Sequence, residues 1–216
     1  MAHPILIISL LSGIVPLVSA IALRSFLTWE VKLFVIYLIV NLLADVLMAF
    51  LALSHINNLW LTHFFILFEY SFFVGLFASW QQNGILKLTL RISIPLFVIS
   101  GVVSTFLLQS MHEFNTITRP TSSFVIMALS AFTLIGLDTA KEEAFFRQSR
   151  FWIAAGALLY FAGSLAVVCL SNVILSWPAE RARLLFELHA VLNLTANMFY
   201  AAGYLCLMPR RKLGAQ

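Results

Sequence analysis

The sequence predicts an all-α membrane protein: a bundle of seven transmembrane helices forming one domain over residues 1–216. Three observations carry this. The chain is 62% hydrophobic and only 10% charged, with a mean hydropathy of +0.98, whereas a soluble domain carries about 25% charged residues. Apolar runs of about 20 residues, the length that crosses a bilayer, recur along nearly the whole chain. The Lys and Arg between those runs alternate in density from one loop to the next, as the positive-inside rule requires.

The runs fall at residues 5–23, 31–54, 59–81, 88–110, 119–138, 151–176 and 182–208. The first contains Val18, Ser19 and Ala20, a signal-peptide cleavage pattern, but it lacks a basic leader and is long for a signal core, so it is expected to stay attached. Pro16 and Pro95 lie inside runs one and four and should kink them. Pro120 suits the first turn of run five, and Pro178 and Pro209 close runs six and seven. All five tryptophans (Trp29, Trp60, Trp80, Trp152 and Trp177) fall at run ends, where an amphipathic ring sits among lipid headgroups.

The connections are short, so sequential helices should be antiparallel and no soluble catalytic domain fits between them. The longest inner connection, residues 138–150, has Thr139 three residues before Glu142 in a capping-box pattern and Phe145 and Phe146 beside basic residues. It is expected to form a short interfacial helix that could dock a cytosolic partner. A three, one, three division of the runs would make a parallel repeat in which His63 and His189 are equivalent.

Ten of the thirteen Lys and Arg lie in the segments that are inside when the N-terminus is outside; Arg119, Arg181 and Arg183 are the outer three. The expected topology is therefore N-terminus out and C-terminus in. Insertion topology and anionic membrane lipids account for the net charge of +4, which leaves no nucleic-acid role for it. Cys169 and Cys206 both sit in apolar runs and read as small packing residues.

The stretch Asn57–Trp80, which contains most of run three, poses the chemical question, because it carries His63 and a central Glu69. An ionisable group near a bilayer centre costs about 2.5–3.5 kcal/mol, so it faces a cavity, a partner or a ligand. Asp45 in run two raises the same question, with Asn41 about 40° away on the same helical face. On run seven, His189, Asn193, Asn197 and Tyr200 fall within about 80° of one another, a polar stripe over three turns. All these groups lie in the outer half of the expected bundle or near its middle. Asn193 and Asn197 also suit plain interhelical hydrogen bonding. His63 and Glu69 differ by about 120° on their helix, so they do not point at one centre; Tyr70 shares the face of His63.

A retinal Schiff base is not expected, because Lys32, Lys87, Lys141 and Lys212 all lie at run ends or in loops. There is no His-Glu-x-x-His pair, phosphate-binding glycine loop or Gly-x-Ser-x-Gly elbow. Asp45, His63, Glu69 and His189 are of suitable type for zinc or manganese, without metal-site spacing. At NNLWLTHFFILFEYSFF (57–73) and LHAVLN (188–193) the chain resembles uncharacterised seven-span membrane proteins of Bacteroidota and related bacteria, through Asn58, His63, Glu69, His189 and Asn193. That resemblance implies a bacterial inner membrane and brings no activity with it.

The sequence thus points first to a receptor or sensor module with an outward cavity for a small hydrophobic or amphipathic molecule or lipid, lined by Asp45, His63, Glu69, His189 and Asn193, with Asn41 and Asn197 beside them. The alternatives are a metal-dependent intramembrane hydrolase with Glu69 as base, and a proton-coupled transporter using Asp45 or Glu69.

Overall fold

The computed structural model describes residues 4–111, 114–137, 145–169, 171–174 and 176–208, and every regular element among them is helical. The helices are α1 (Pro4–Ser12), α2 (Ile14–Ala22), α3 (Trp29–Leu53), α4 (Leu59–Trp80), α5 (Gly84–Leu107), α6 (Thr118–Ile135), α7 (Ser149–Cys169), α8 (Ser171–Ile174) and α9 (Ala179–Leu205). A single 3₁₀ turn, Arg24–Phe26, links α2 to α3. Among the described residues, four segments are long and apolar enough to cross a membrane: Pro4–Ala22, Trp29–Leu53, Leu59–Trp80 and Gly84–Leu107. The expected interfacial helix and partner-docking segment at 138–150 lies mostly outside the described residues.

Run one breaks at Gly13 into α1 and α2. Pro16 explains the position of the break, since its ring crowds the carbonyl of Ser12 and it has no N–H to continue the ladder. At Pro95, in contrast, α5 continues through the proline. The α3–α4 turn is held at two points. His55 takes a left-handed φ of 58°, and the Ile56 N–H returns to the Leu51 carbonyl at 2.9 Å, closing the helix end. Asn58 Nδ2 then donates to the Met48 carbonyl at 2.9 Å, fastening the start of α4 to the end of α3.

The helices pack as a ring. Neighbours in order are α4, α6, α7, α9, the α1–α2 pair and α3, which returns to α4; α5 packs outside the ring against α4. The chain has two ends to its bundle. His63 near the start of α4 meets Thr105 near the end of α5 and Asn115 just before α6. At the opposite end Ser149, the first residue of α7, donates to the Gly203 carbonyl late in α9 at 2.6 Å. We refer to these as the α3–α4 end and the α4–α5 end.

Aromatic side chains fill the α4–α5 half of the ring. Phe34 meets Tyr200 with ring centroids 4.9 Å apart, and Phe73 meets Phe161 at 5.4 Å, both edge to face. On α5, Tyr70 stacks against Phe97 at 3.8 Å and bonds Ser93, so the face of α4 that carries Tyr70 looks out of the ring. Large apolar residues such as Leu43, Phe50, Leu96 and Ile99 are exposed on the outer faces of α3 and α5, the pattern of a surface solvated by lipid.

Helices α7 and α9 approach closely at Gly156. A Cβ there would stand 2.9 Å from the Phe199 Cβ and 2.8 Å from the Tyr200 ring, and the first of these cannot swing away because it sits next to the backbone. Gly75 has only the tip of Ile94 within 4 Å. Gly156→Ala should therefore lose about 1–3 kcal/mol through overpacking, whereas Gly75→Ala should gain up to about 1 kcal/mol from helix propensity. Reversible unfolding in mixed micelles checks both, and equal effects at the two sites would refute the close-approach account.

Candidate functional site

The polar interior is organised by α6, which starts inside the bundle. Asn115, just ahead of α6, bonds the fifth residue of α4, His63 at 3.2 Å. Arg119, in the first turn of α6, reaches the eleventh residue of α4 and forms an ion pair with Glu69. The start of α6 thus brings Asn115 and Thr118 to buried positions, which a membrane protein tolerates where protein rather than lipid surrounds the backbone. Asn115 meets the resulting need for hydrogen bonds: its Oδ1 accepts from the N–H groups of Thr118 at 2.8 Å and Arg119 at 3.1 Å. With Oδ1 so committed, Nδ2 is the atom that donates to His63 Nδ1, and a neutral His63 then carries its proton on Nε2.

Glu69 is held on both oxygens, by Arg119 on Oε2 and by the Tyr37 hydroxyl donating to Oε1 at 3.2 Å. Arg119 also donates to the Tyr160 hydroxyl at 3.4 Å, and Tyr160 in turn lies 3.3 Å from His189 Nε2. The guanidinium sits 5.9 Å from the Phe161 ring centre, over its face. One connected network therefore joins α3, α4, α6, α7 and α9 through Tyr37, Glu69, Arg119, Tyr160 and His189.

Above this network, toward the α3–α4 end, lies a cavity of about 430 Å³. Its floor carries Tyr37, Arg119, Tyr160, Asn197 and Tyr200; its walls carry Asn41, Asp45, His189 and Asn193; apolar side chains including Leu6, Met48, Phe65, Phe114 and Phe186 complete it. No residue of α5 contributes, as its position outside the ring dictates.

Of the residues the sequence singled out, Asn41, Asp45, His189, Asn193 and Asn197 meet around this one cavity. Asn41 Nδ2 donates to Asp45 Oδ2 at 3.2 Å, as their spacing on one face suggests. The run-seven stripe does two jobs. Asn193 and Asn197 donate to Ser9 and Ser12 at 3.0 and 2.8 Å, which glues α9 alongside the α1–α2 pair, and the same residues line the cavity. His63 and Glu69 do not line it. Both are 1% exposed, His63 turned to Asn115 and Thr105 and Glu69 turned to Arg119 and Tyr37. His63 and His189, paired by the expected repeat, thus have different surroundings.

Arg119 is the principal correction. Sequence order assigns it to the outer loop charges, and the structure places it inside as the partner of Glu69. Hydropathy misses it because Arg119, Pro120 and the polar residues of the first α6 turn look like a loop. The available signal was the carboxylate itself, since a buried Glu69 demands a cation nearby. Tyr37 and Tyr160 carry no sequence signal, because single tyrosines in apolar runs form no pattern.

The metal set is not assembled: among the described residues no three His, Cys, Asp or Glu side chains stand close enough to hold one ion. What the fold and site define is a protein whose described regular elements are helical, with four segments long and apolar enough to cross a membrane and an interior ion-pair network beneath a mixed polar and apolar cavity. No protein family, curated protein or solved structure was found to match the chain.

Removing one member of a buried ion pair leaves the other uncompensated, at a cost of about 3–5 kcal/mol. Arg119→Met and Glu69→Leu should each lose about that much, while the double variant should lose clearly less than the sum. A double-mutant cycle on unfolding in micelles measures the coupling. Strict additivity would mean that the pair does not interact.

Proposed function

We propose that this protein is a seven-span membrane receptor or sensor module, N-terminus out and C-terminus in, that binds a small amphipathic molecule in its interior cavity. The cavity is the single observation that carries this. Its volume of about 430 Å³ lies within the 300–1,000 Å³ range of small-molecule sites, and its walls are mainly apolar with a few convergent polar groups. The polar groups of its floor and walls sit on four different helices, α3, α6, α7 and α9, so a ligand that bonds to several of them would couple the relative positions of those helices. A hydrolase is less well supported, because its proposed base Glu69 is already occupied by Arg119 and Tyr37 and, among the described residues, no metal-holding group gathers around it.

The seven-span arrangement is supported by the packing of α6, α7 and α9 in one ring with three of the four apolar spans, the fourth, α5, lying against α4. The topology is supported by the distribution of Lys and Arg, ten in the inner segments against three in the outer ones, and Arg119, one of those three, is held within the bundle by Glu69 rather than in a loop. The composition and the resemblance in runs three and seven favour a bacterial inner membrane.

Two measurements test these statements. In a bacterial host, alkaline phosphatase fused after Asn57 should be active and a fusion after Gln82 inactive, with green fluorescent protein giving the reverse; the opposite pattern would invert the topology. Native mass spectrometry of protein released from membranes should detect a small-molecule adduct on the wild type that is lost in Ala190→Trp, which fills the cavity, and kept in the outward-facing control Leu43→Trp. No adduct, or equal retention in both variants, would sink the binding role.

A further inference from the structure

We infer that the ligand is an amphipathic amine, bound with its protonated nitrogen against Asp45; this rests on the cavity being a binding site. The inference starts from the charges that face the space. Arg119 is the cavity's cation, and Glu69 already balances it. His189 is engaged by Tyr160 through Nε2. Asp45 is left, and among the described residues it has the Asn41 amide as a hydrogen-bond partner but no cation in ion-pair contact.

A carboxylate at this depth needs a cation or a proton to offset the loss of water. The chain supplied a cation to Glu69, from a helix start drawn into the bundle for the purpose. It supplied none to Asp45. An ammonium group entering the cavity would complete that second pair, and the first pair would be unaffected.

The surroundings fit the rest of such a molecule. Met48 lies about one turn from Asp45 toward the α3–α4 end, and Phe65 and Phe114 line the same space. Phe114 stacks with Phe186, ring centroids 6.5 Å apart. An alkyl or aryl body can bury against these side chains, and their ring faces attract a cation as well. An anionic ligand fits less well. To reach Arg119 it would share the guanidinium with Glu69 and approach Asp45, and like charges at that range in a water-poor site repel strongly.

The test uses the full chain in nanodiscs of zwitterionic lipid, with three probes of one length: octylammonium, octanol and octanoate. Octylammonium should bind saturably and raise the thermal midpoint, with an affinity about tenfold or more above that of octanol, the equivalent of about 1.4 kcal/mol. In Asp45→Asn that advantage should vanish while saturable octanol binding persists, which shows that the variant still holds a cavity. Equal binding of the three probes, or a preference for octanoate, would overturn the amine assignment and leave a ligand cavity standing. If no probe binds saturably, the amine assignment and the binding role fall together.

Discussion

The Glu69–Arg119 ion pair is the constraint on which the rest of this structure depends. A glutamate in the middle of an apolar helix and an arginine at the start of another are each costly in a bilayer, and neither is tolerable unless the other arrives. Bringing them together fixes where α6 begins, how Asn115 and Thr118 come to be buried, and why Asn115 must cap a helix start that water cannot reach. Tyr37 and Tyr160 then complete the hydrogen bonds the pair leaves open. The floor of the cavity follows from these commitments.

A second, weaker level of organisation closes the ring. Asn193 and Asn197 bond Ser9 and Ser12 in register, two rungs that align α9 with the α1–α2 pair along the same direction. Each such bond between membrane helices contributes only about 0.6 kcal/mol on average, so the rungs set register more than they add stability. Close packing at Gly156 and the aromatic cluster around Phe34 and Phe73 supply the rest. The half of the ring at the α4–α5 end is dry and tightly filled, and the half at the α3–α4 end is left open around polar groups.

The helical character and the approximate extent of the long helices could be read from the sequence, because hydropathy over 20 residues is a property of contiguous chain. The apolar runs at 31–54 and 59–81 match α3 and α4 within a few residues. Angular spacing also predicted that Asn41 would meet Asp45, and that His189, Asn193, Asn197 and Tyr200 would share a face. What the sequence concealed was partnership across helices. Nothing local distinguishes Glu69, whose carboxylate is paired behind the cavity wall, from Asp45, whose carboxylate faces the space. Arg119 reads as a loop residue because five of the six residues around it are polar or proline, and only the three-dimensional placement of α6 reveals that this polar turn is interior.

The inward start of α6 also bears on how the chain enters its membrane. Its first turn carries an arginine, and its buried face carries Ser122, Ser123, Ser130 and Thr133. As a solitary segment it is a poor candidate for partition into lipid. With α4 already in place, the same segment meets a carboxylate that is equally ill-suited to lipid on its own. If the proposed seven-span arrangement holds, insertion of the second half of the molecule is conditional on the first: α6 would be a helix admitted to the bilayer by an earlier helix rather than by its own hydrophobicity.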